Sequence, residues 1–110
     1  MHKLTKMMKA LSDETRLRIL NILLEHESCV CEVMQALDIS QSSASRNLGI
    51  LYDTGFLRQR KDGIRIFYSI DETEELHVEL FGVVKKALKD NKVMGADKKR
   101  LKETQGIIAR

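Results

Sequence analysis

Two short helical patterns joined by a tight polar turn constrain the fold of this chain more than any other feature. Apolar residues recur at helical spacing before the turn, at Val30, Val33, Met34 and Leu37, and after it, at Ala44, Leu48 and Leu51. The turn, Asp38-Ile39-Ser40, has one apolar anchor, and Ser40 is placed to cap a second helix that runs to about Tyr52. Two short helices in this arrangement are typical of a helix-turn-helix unit.

A basic hairpin follows this unit. Gly55 is placed to end the second helix in a left-handed cap. Asp62-Gly63 then lies between two β-prone runs, residues 57–60 and 64–70, which is a strong hairpin signal. The arms and tip carry Arg58, Arg60, Lys61 and Arg65. A basic hairpin directly behind a helix-turn-helix predicts a wing.

Three further helices complete the predicted order α-α-α-α-β-β-α. The apolar stripe of the first helix is Leu4, Met7, Met8 and Leu11. The second helix is capped by Ser12, and its stripe is Leu17, Leu20, Leu23 and Leu24. The last helix starts at Asp71 or Thr73, and its stripe is Leu76, Leu80, Val83, Val84, Ala87 and Leu88. Ser28 is the predicted cap of the third helix. The sequence thus predicts a mainly α, winged helix-turn-helix domain with a small β-hairpin over residues 1–90. Residues 91–110, around Lys98-Lys99-Arg100, are predicted to be a basic, flexible C-terminal tail.

The composition fits a single small globular domain. The chain has 110 residues, 43% of them hydrophobic, no proline, and a net charge of +3, which permits DNA binding where the charge is clustered. No stretch approaches the roughly 18 apolar residues of a membrane span, and the first residues lack the apolar core of a signal peptide. We therefore expect a cytoplasmic protein with no membrane partner, whose thiols are reduced.

The polar face of the second helix of this unit has side chains suited to reading base edges. Arginine donates two hydrogen bonds to guanine, asparagine and glutamine pair with adenine, and serine adapts, while wing arginines can reach the backbone or the minor groove. The predicted contacts to double-stranded DNA are Ser40, Gln41, Ser42, Ser43, Ser45, Arg46, Asn47, Arg58, Arg60, Lys61 and Arg65. The alternative is a solvated polar face beside a charged hairpin that resists edge-to-edge aggregation.

The first and last helices are the predicted dimerisation surface. One helix-turn-helix unit contacts little DNA, so operator-level affinity usually comes from a two-fold dimer on an inverted repeat. The apolar stripes of these helices exceed what so small a domain can bury alone. The predicted interface residues are Leu4, Met7, Met8, Leu76, Leu80, Val83, Val84 and Ala87. The alternative is that both stripes complete the core of one chain.

The only two cysteines, Cys29 and Cys31, lie at the start of the first helix of the helix-turn-helix. A disulfide between residues two apart is strained, whereas thiolates at a helix N-terminus have a lowered pKa and bind soft ions such as As(III), Sb(III) or Cd(II). Residues two apart on a helix point about 200° apart, so chelation by both sulfurs should distort this turn and the DNA-binding pose. The alternatives are two small buried hydrophobic residues, and a site to which His26 adds a ligand.

Several motifs in register resemble the ArsR/SmtB family of winged-helix metalloregulators, over roughly residues 4–90. They are Leu11-Ser12-Asp13-Glu14-Thr15-Arg16-Leu17 in the second helix, Ser28-Cys29-Val30-Cys31-Glu32-Val33 in the cysteine segment, Ser40-Gln41-Ser42-Ser43-Ala44-Ser45-Arg46-Asn47-Leu48 in the recognition helix, and Thr54-Gly55-Phe56-Leu57 and Gly63-Ile64-Arg65 in the wing. The resemblance implies a homodimeric repressor that leaves its operator when arsenite or antimonite binds.

Three positions depart from the pattern of that family. Asn47 stands where many members have a histidine, which bears on the operator sequence. Met34 stands where some arsenic sensors have a third cysteine, and a thioether is a weaker ligand. The last helix offers His77 with Asp71 and Glu79 nearby and no second histidine, so the zinc site that some relatives carry there is not expected.

The sequence thus predicts a DNA-binding repressor that requires no cofactor and is released from its operator by As(III), Sb(III) or another soft metal ion at Cys29 and Cys31. The alternative function is a redox-sensing repressor of the same fold, acting through a sulfenic acid or an intersubunit disulfide. A further alternative, if both thiols are inert, is a purely architectural DNA-binding protein. An enzyme is not expected, because the chain has no Cys-x-x-Cys, phosphate loop, nucleophile elbow or His-Glu-x-x-His motif.

Overall fold

The computed structural model describes the backbone of residues 2–107 and the side chains of residues 2–105. Along the chain its elements are α1 (His2–Leu11), α2 (Glu14–Leu23), β1 (Ser28–Cys29), α3 (Val30–Leu37), α4 (Gln41–Asp53), β2 (Leu57–Asp62), β3 (Arg65–Ile70), α5 (Glu75–Leu88) and α6 (Lys92–Ile107). Helices α3 and α4 form the helix-turn-helix and strands β2 and β3 the wing, so the predicted winged helix-turn-helix is confirmed. No helix within the described residues is long and apolar enough to cross a membrane.

The core lies where α2, the helix-turn-helix and the base of the wing meet. Its fully buried side chains are Ile19, Leu20, Ile22, Val33, Ala36, Ala44, Leu48, Leu51 and Phe56. Burying one large side chain such as Leu48 or Phe56 stabilises a fold by about 1.5–3 kcal/mol. This packing fixes α3 against α4 and holds α4 by one face only, which leaves its other face to solvent.

A short strand joins the cysteine segment to the wing. The sheet is antiparallel with the order β1–β3–β2, and β1 pairs Cys29 with Phe67. In the hairpin, Asp62 pairs with Arg65, leaving a two-residue turn that starts at Gly63, whose φ is +63°. A two-residue strand is too short to show an alternating pattern, so β1 is absent from the sequence-based prediction.

The N-caps of α2 and α3 each lie one residue beyond the predicted serine. Asp13, not Ser12, caps α2 by accepting a hydrogen bond from Arg16 N over 3.0 Å. A carboxylate accepts such a bond more strongly than a hydroxyl does, and the Ser12 hydroxyl is used at the end of α1 instead. Cys29, not Ser28, is the N-cap of α3, because Ser28 belongs to β1.

The start of α5 is delayed by a turn that Asp71 closes. Asp71 Oδ1 accepts hydrogen bonds from Thr73 N over 2.9 Å and from Thr73 Oγ1 over 2.6 Å. These bonds lower the pKa of the Asp71 carboxyl. The predicted start at Asp71 or Thr73 is therefore wrong, and α5 begins at Glu75 with Glu74 as its N-cap.

The C-terminal segment is a packed helix, so the predicted flexible tail is wrong for residues 92–107. The inner face of α6 consists of Met94, Asp97, Leu101 and Thr104, each at most 5% exposed. Only two of these four side chains are apolar, so the helical stripe is not visible as a hydrophobic pattern. Residues 108–110 of the predicted tail lie outside the described residues.

The predicted dimerisation residues divide between the core and the outer surface. Met7 and Val84 are 2% and 8% exposed within the protomer, so the prediction that they lie on the outer face is wrong. The inner face of α5 is His77, Phe81 and Val84, since Phe81 packs edge-on against Phe56. Leu4, Met8, Leu76, Val83 and Ala87 are exposed, and Leu80 is half-buried. A dimer through these six residues stays a prediction.

Candidate DNA-binding surface and thiol site

The outer face of α4 presents polar side chains to solvent. Ser40 caps the helix by accepting a hydrogen bond from Ser43 N over 3.1 Å. Gln41, Ser42, Ser45 and Arg46 are exposed, and Ser43 is half-buried. The structure therefore brings several of the predicted base-reading side chains together on one accessible helix, and an α-helix is an element that the major groove admits.

Asn47 faces inward, contrary to the prediction that it lies off the buried stripe. Its side chain is 3% exposed. Its Nδ2 donates to Ser43 O over 2.9 Å, and its Oδ1 accepts from Arg16 Nη1 over 3.0 Å. In this conformation the amide is used inside the protein and is not available to a base. Position 47 lies between the core residues Ala44 and Leu48 on the helix, and that spacing is the signal that could have placed it.

Arg16 of α2 joins three helices. Besides Asn47 of α4, its guanidinium donates from Nε to Ala10 O over 2.6 Å and from Nη2 to Lys9 O over 3.1 Å. These two carbonyl oxygens belong to the last turn of α1, where backbone acceptors have no partner within the helix. One side chain therefore ties the end of α1 to the middle of α4.

Arg18, two residues further along α2, holds the C-terminal helix through Asp97. Its Nε and Nη2 atoms donate to the two carboxylate oxygens of Asp97, each over 2.8 Å. Arg100 donates to the same carboxylate over 2.7 Å. Asp97 is fully buried and raises the pKa of the Arg18 guanidinium through this hydrogen bond. Sequence reasoning missed this cluster because Asp97 lies in the segment predicted to be a tail.

The same two arginines also cap the end of α3. Arg18 Nη2 donates to Leu37 O over 2.8 Å, and Arg100 Nε donates to Ala36 O over 2.7 Å. The chain then passes through Asp38 in the left-handed region, at φ +55°, into the turn before α4. α6 is consequently fixed beside the turn of the helix-turn-helix.

The basic residues of the wing are of two kinds. Arg58, Lys61 and Arg65 are exposed and remain predicted contacts to DNA. Arg60 donates to the Glu27 carboxylate over 2.7 and 3.2 Å, which raises its pKa, and its guanidinium lies 4.6 Å from the centre of the Phe67 ring. Arg60 therefore links the wing to the segment before β1, and its contact with DNA stays a prediction.

The two thiols occupy different environments. Cys29 is 2% exposed at the N-cap of α3, and its N–H donates to Glu32 Oε1 over 3.0 Å. Burial raises the pKa of the Cys29 thiol, which contradicts the prediction that both thiols lie in the first helical turn with lowered pKa values. Cys31 is exposed in the first turn of α3, and Gln35 Nε2 lies 3.8 Å from its sulfur.

Both cysteines line one cavity at the junction of α3, α4 and the wing. The cavity has a volume of about 460 Å³. Its walls are Cys29, Val30, Cys31 and Met34 from the cysteine segment, Gln41 and Ser45 from α4, and Ile64, Arg65 and Ile66 from the wing. Three predicted DNA contacts, Gln41, Ser45 and Arg65, thus border the same cavity as the two cysteines.

A third strong metal ligand does not join the two thiols. Among the described residues, no three His, Cys, Asp or Glu side chains lie together in a group that could hold a metal ion. His26 does not line the thiol cavity, and His77 is buried against Phe56 with ring centres 4.7 Å apart. Any ion at this site would be held by two sulfurs, with the Met34 thioether as a weak donor that lines the same cavity.

Comparison with known proteins identifies the family. The family model described as "Bacterial regulatory protein, arsR family" matches residues 13–59. The transcriptional activator HlyU of Vibrio cholerae is 38% identical over 72 residues, which are 66% of this chain and 67% of that protein. The chain belongs to the ArsR family. The family and its relatives are DNA-binding transcriptional regulators rather than enzymes, as predicted.

Two other relatives of this ArsR-family chain are named for metal resistance. A cadmium resistance regulatory protein CadC homologue of Staphylococcus aureus is 43% identical over 61% of this chain and 56% of its own length. The arsenical resistance operon repressor of Escherichia coli is 44% identical over 59% of this chain and 56% of its own length. The chain therefore spans little more than half the length of these two relatives.

A solved structure supports the same assignment. The homodimeric winged helix-turn-helix DNA-binding domain of a possible ArsR-family regulator from Mycobacterium bovis aligns with a TM-score of 0.69 and 28% identity. The alignment covers 83% of this chain and 82% of that one. The second helix of a helix-turn-helix unit, here α4, is called its recognition helix.

The unequal burial of the thiols predicts selective alkylation. With limiting iodoacetamide at neutral pH, Cys31 should be modified several-fold faster than Cys29, because the reagent reaches the exposed sulfur directly, whereas burial both shields Cys29 and raises its pKa, which lowers its thiolate fraction. Peptide mass spectrometry over time measures both rates. In denaturant the two rates should converge; equal rates in the native protein would contradict the buried position of Cys29.

Proposed function

We propose that this ArsR-family protein is a transcriptional repressor that leaves its operator when As(III), Sb(III) or a similar soft metal ion binds Cys29 and Cys31. The observation that carries the proposal is the cavity that both cysteines line, because its other walls are α4 and the wing. A ligand in this cavity is in direct contact with the recognition helix. The relatives named for cadmium and arsenical resistance make soft metal ions the first ligands to test.

Two thiols suit the chemistry of trivalent arsenic. Arsenous acid forms one As–S bond with each thiol, and each thiol proton leaves with an arsenic hydroxyl group as water, so no oxidant or reductant is needed. The exposed Cys31 is accessible for the first bond, and the cavity then holds the ion beside Cys29. The remaining hydroxyl group completes a three-coordinate shell. Soft sulfur ligands favour such ions over hard cations.

Binding by both sulfurs would move Cys29 from its place in the fold. Its N–H bond to the buried Glu32 carboxylate holds the start of α3, and its strand partner, Phe67, belongs to the wing. Cys29 is buried and Cys31 exposed, so a shared ion requires Cys29 to turn toward the cavity. That movement weakens the cap of α3 and the pairing of β1 with β3, and both changes alter the pose of α4 relative to the wing.

Operator binding and metalloid binding then favour different conformations of the same segment, the start of α3. Such coupling is reciprocal, so a ligand that weakens operator binding by a given factor binds the protein–DNA complex more weakly by the same factor. A metalloid affinity that is equal for the free and the operator-bound protein is incompatible with this mechanism.

We also infer that the repressor binds an inverted repeat as a homodimer. The apolar residues Leu4 and Met8 of α1 and Leu76 and Val83 of α5 are all more than 40% exposed, and they occupy the two helices expected to pair. Burying them against a second copy removes apolar surface from water. The homodimeric Mycobacterium bovis domain supports this arrangement.

The test is the fluorescence anisotropy of a labelled operator duplex, selected by the protein from random DNA and titrated with arsenite under reducing conditions. The parent protein should release the duplex, whereas Cys29→Ser and Cys31→Ser should bind it and fail to respond. Met34→Leu is the matched control, because it alters the same cavity and leaves both thiols.

The outcomes separate the candidate functions. Release from the parent and from Met34→Leu, with no release from either serine variant, supports a thiol-gated metalloid repressor. Insensitivity to arsenite, antimonite and cadmium together with release by peroxide that dithiothreitol reverses would instead establish the redox-sensing alternative. DNA binding without sequence preference and with a steep salt dependence would indicate an architectural protein.

A further inference from the structure

The positive charge of this chain is concentrated outside the winged helix-turn-helix. Residues 85–102 hold eight Lys and Arg side chains against two Asp, whereas residues 1–84 hold ten against thirteen Asp and Glu. DNA affinity depends strongly on the neutralisation of phosphates by basic side chains. Because residues 1–84 carry more acidic than basic groups, the largest group of basic side chains available to phosphates lies at the end of α5 and on α6.

These cations surround a concave surface and are mostly without acidic partners. We call Lys85, Lys86, Lys89, Lys98, Lys99 and Lys102 the C-terminal basic surface. Four of them, the first three and Lys98, line a groove of about 360 Å³ between α2, α5 and α6. Lys98 pairs with Glu25 over 2.9 Å; the other five form no ion pair with any described residue. Unpaired lysines around a groove repel one another, and a bound polyanion relieves that repulsion.

The fold places the α6 part of this surface, Lys99 and Lys102, on a helix that contacts an element expected to meet the DNA backbone. In a docked helix-turn-helix the recognition helix enters the major groove while the first helix, here α3, crosses the sugar–phosphate backbone. Arg100 of α6 donates to Ala36 O, in the last turn of α3. Lys99 precedes Arg100 directly and Lys102 follows it within one helical turn, and both are exposed. α6 therefore carries free cations next to the helix expected over the backbone.

We propose that the C-terminal basic surface binds phosphates of the DNA that flanks the operator. The contact reads no bases, because lysine ammonium groups meet the backbone as point charges. It lengthens the duplex that each protomer covers, and it makes α6 a second DNA-binding element rather than only a structural support. The buried cluster of Arg18, Asp97 and Arg100 holds that element in place.

The test compares operator duplexes of two lengths in anisotropy titrations between about 50 and 200 mM salt. One duplex ends at the operator and the other extends it by about ten base pairs, one helical turn, on each side. The variants are Lys85→Gln/Lys89→Gln and Lys99→Gln/Lys102→Gln. The matched control is Lys3→Gln/Lys9→Gln, which removes the same number of positive charges as each variant does, but from α1.

The parent should bind the long duplex on the order of tenfold more tightly than the short one, and each variant should lose much of that gain. On the long duplex, the slope of log affinity against log salt should fall by about 1 for each lost phosphate contact. The control should keep both the gain and the slope. Circular dichroism melting checks that the variants are folded.

Two results would overturn the proposal. One is a parent that binds both duplexes equally, or variants whose slopes match that of the control. The other is calorimetric binding of inorganic tripolyphosphate to the parent, lost in the variants, without any dependence of DNA binding on duplex length. The second result would assign the groove to a small phosphorylated ligand instead of flanking DNA.

Discussion

Replacing Asp97 with alanine is expected to lower the free energy of unfolding by about 3–5 kcal/mol, because removing one partner of a buried ion cluster leaves the other charges uncompensated. The Asp97 side chain has no solvent exposure and that of Arg18 only 18%. The substitution removes the acceptor for both Arg18 and Arg100, and with it the ion-pair link between α6 and α2. Urea unfolding followed by circular dichroism measures the change.

Two further variants make this result specific to the buried cluster. Glu103→Ala removes an exposed carboxylate from the same helix and should alter stability by no more than about 0.5 kcal/mol. Arg18→Met combined with Asp97→Leu should recover much of the stability lost in Asp97→Ala, since apolar replacement of a buried ion pair is often neutral. Equal stability of Asp97→Ala and Glu103→Ala would show that α6 does not depend on the cluster.

Arg16→Ala is expected to destabilise the protein by about 2–4 kcal/mol and to weaken operator binding beyond that loss. The side chain donates three hydrogen bonds, to Ala10 O, Lys9 O and Asn47 Oδ1. A hydrogen bond contributes about 1 kcal/mol net, and more when its donor is charged, whereas Lys9 O keeps its bond from the Ser12 hydroxyl after the substitution. Losing the bond to Asn47 also removes the polar link between the recognition helix and α2. Thermal melting and operator anisotropy below the melting temperature separate the two effects.

A double-mutant cycle with Asn47→Ala tests the link between α2 and α4. The two substitutions should be coupled by about 0.5–3 kcal/mol, as contacting residues usually are. Arg58→Ala serves as the comparison, because it removes an exposed wing arginine and should leave stability nearly unchanged. If the stability effects of the two substitutions are simply additive, Arg16 acts only through its bonds to the end of α1.

The helix-turn-helix and the wing could be predicted because their signals are local. The spacing of Ala44, Leu48 and Leu51 predicts a helix from neighbouring residues alone. Asp62-Gly63 favours a tight hairpin turn through the backbone freedom of glycine. The cap at Ser40 and the left-handed Gly55, at φ +93°, follow from the same local rules.

Three side chains that face inward were not predicted to do so. Asn47 and Asp97 are polar, a class of side chain that lies mostly at the surface, and Cys29 was predicted to be a metal ligand, with burial as the alternative. Each is buried because its partner lies elsewhere in the chain: Arg16 for Asn47, Arg18 for Asp97, and the strand partner Phe67 for Cys29. The sequence of α6 resembles a tail because Asp97 and Thr104 occupy half of its inner face, which therefore lacks an apolar stripe.

By itself the sequence determined the order of the first five helices, the wing, the two thiols beside the helix-turn-helix, and the membership of a regulator family, because each of these depends on short spacings or on matching residues. Only the tertiary structure decided which thiol is buried, that both cysteines line a cavity bordered by α4 and the wing, and that α6 is fixed to the end of α3. The physical reason is distance along the chain. Arg18 and Asp97 are 79 residues apart, and their ion pair exists only once packing has excluded water from the space between them.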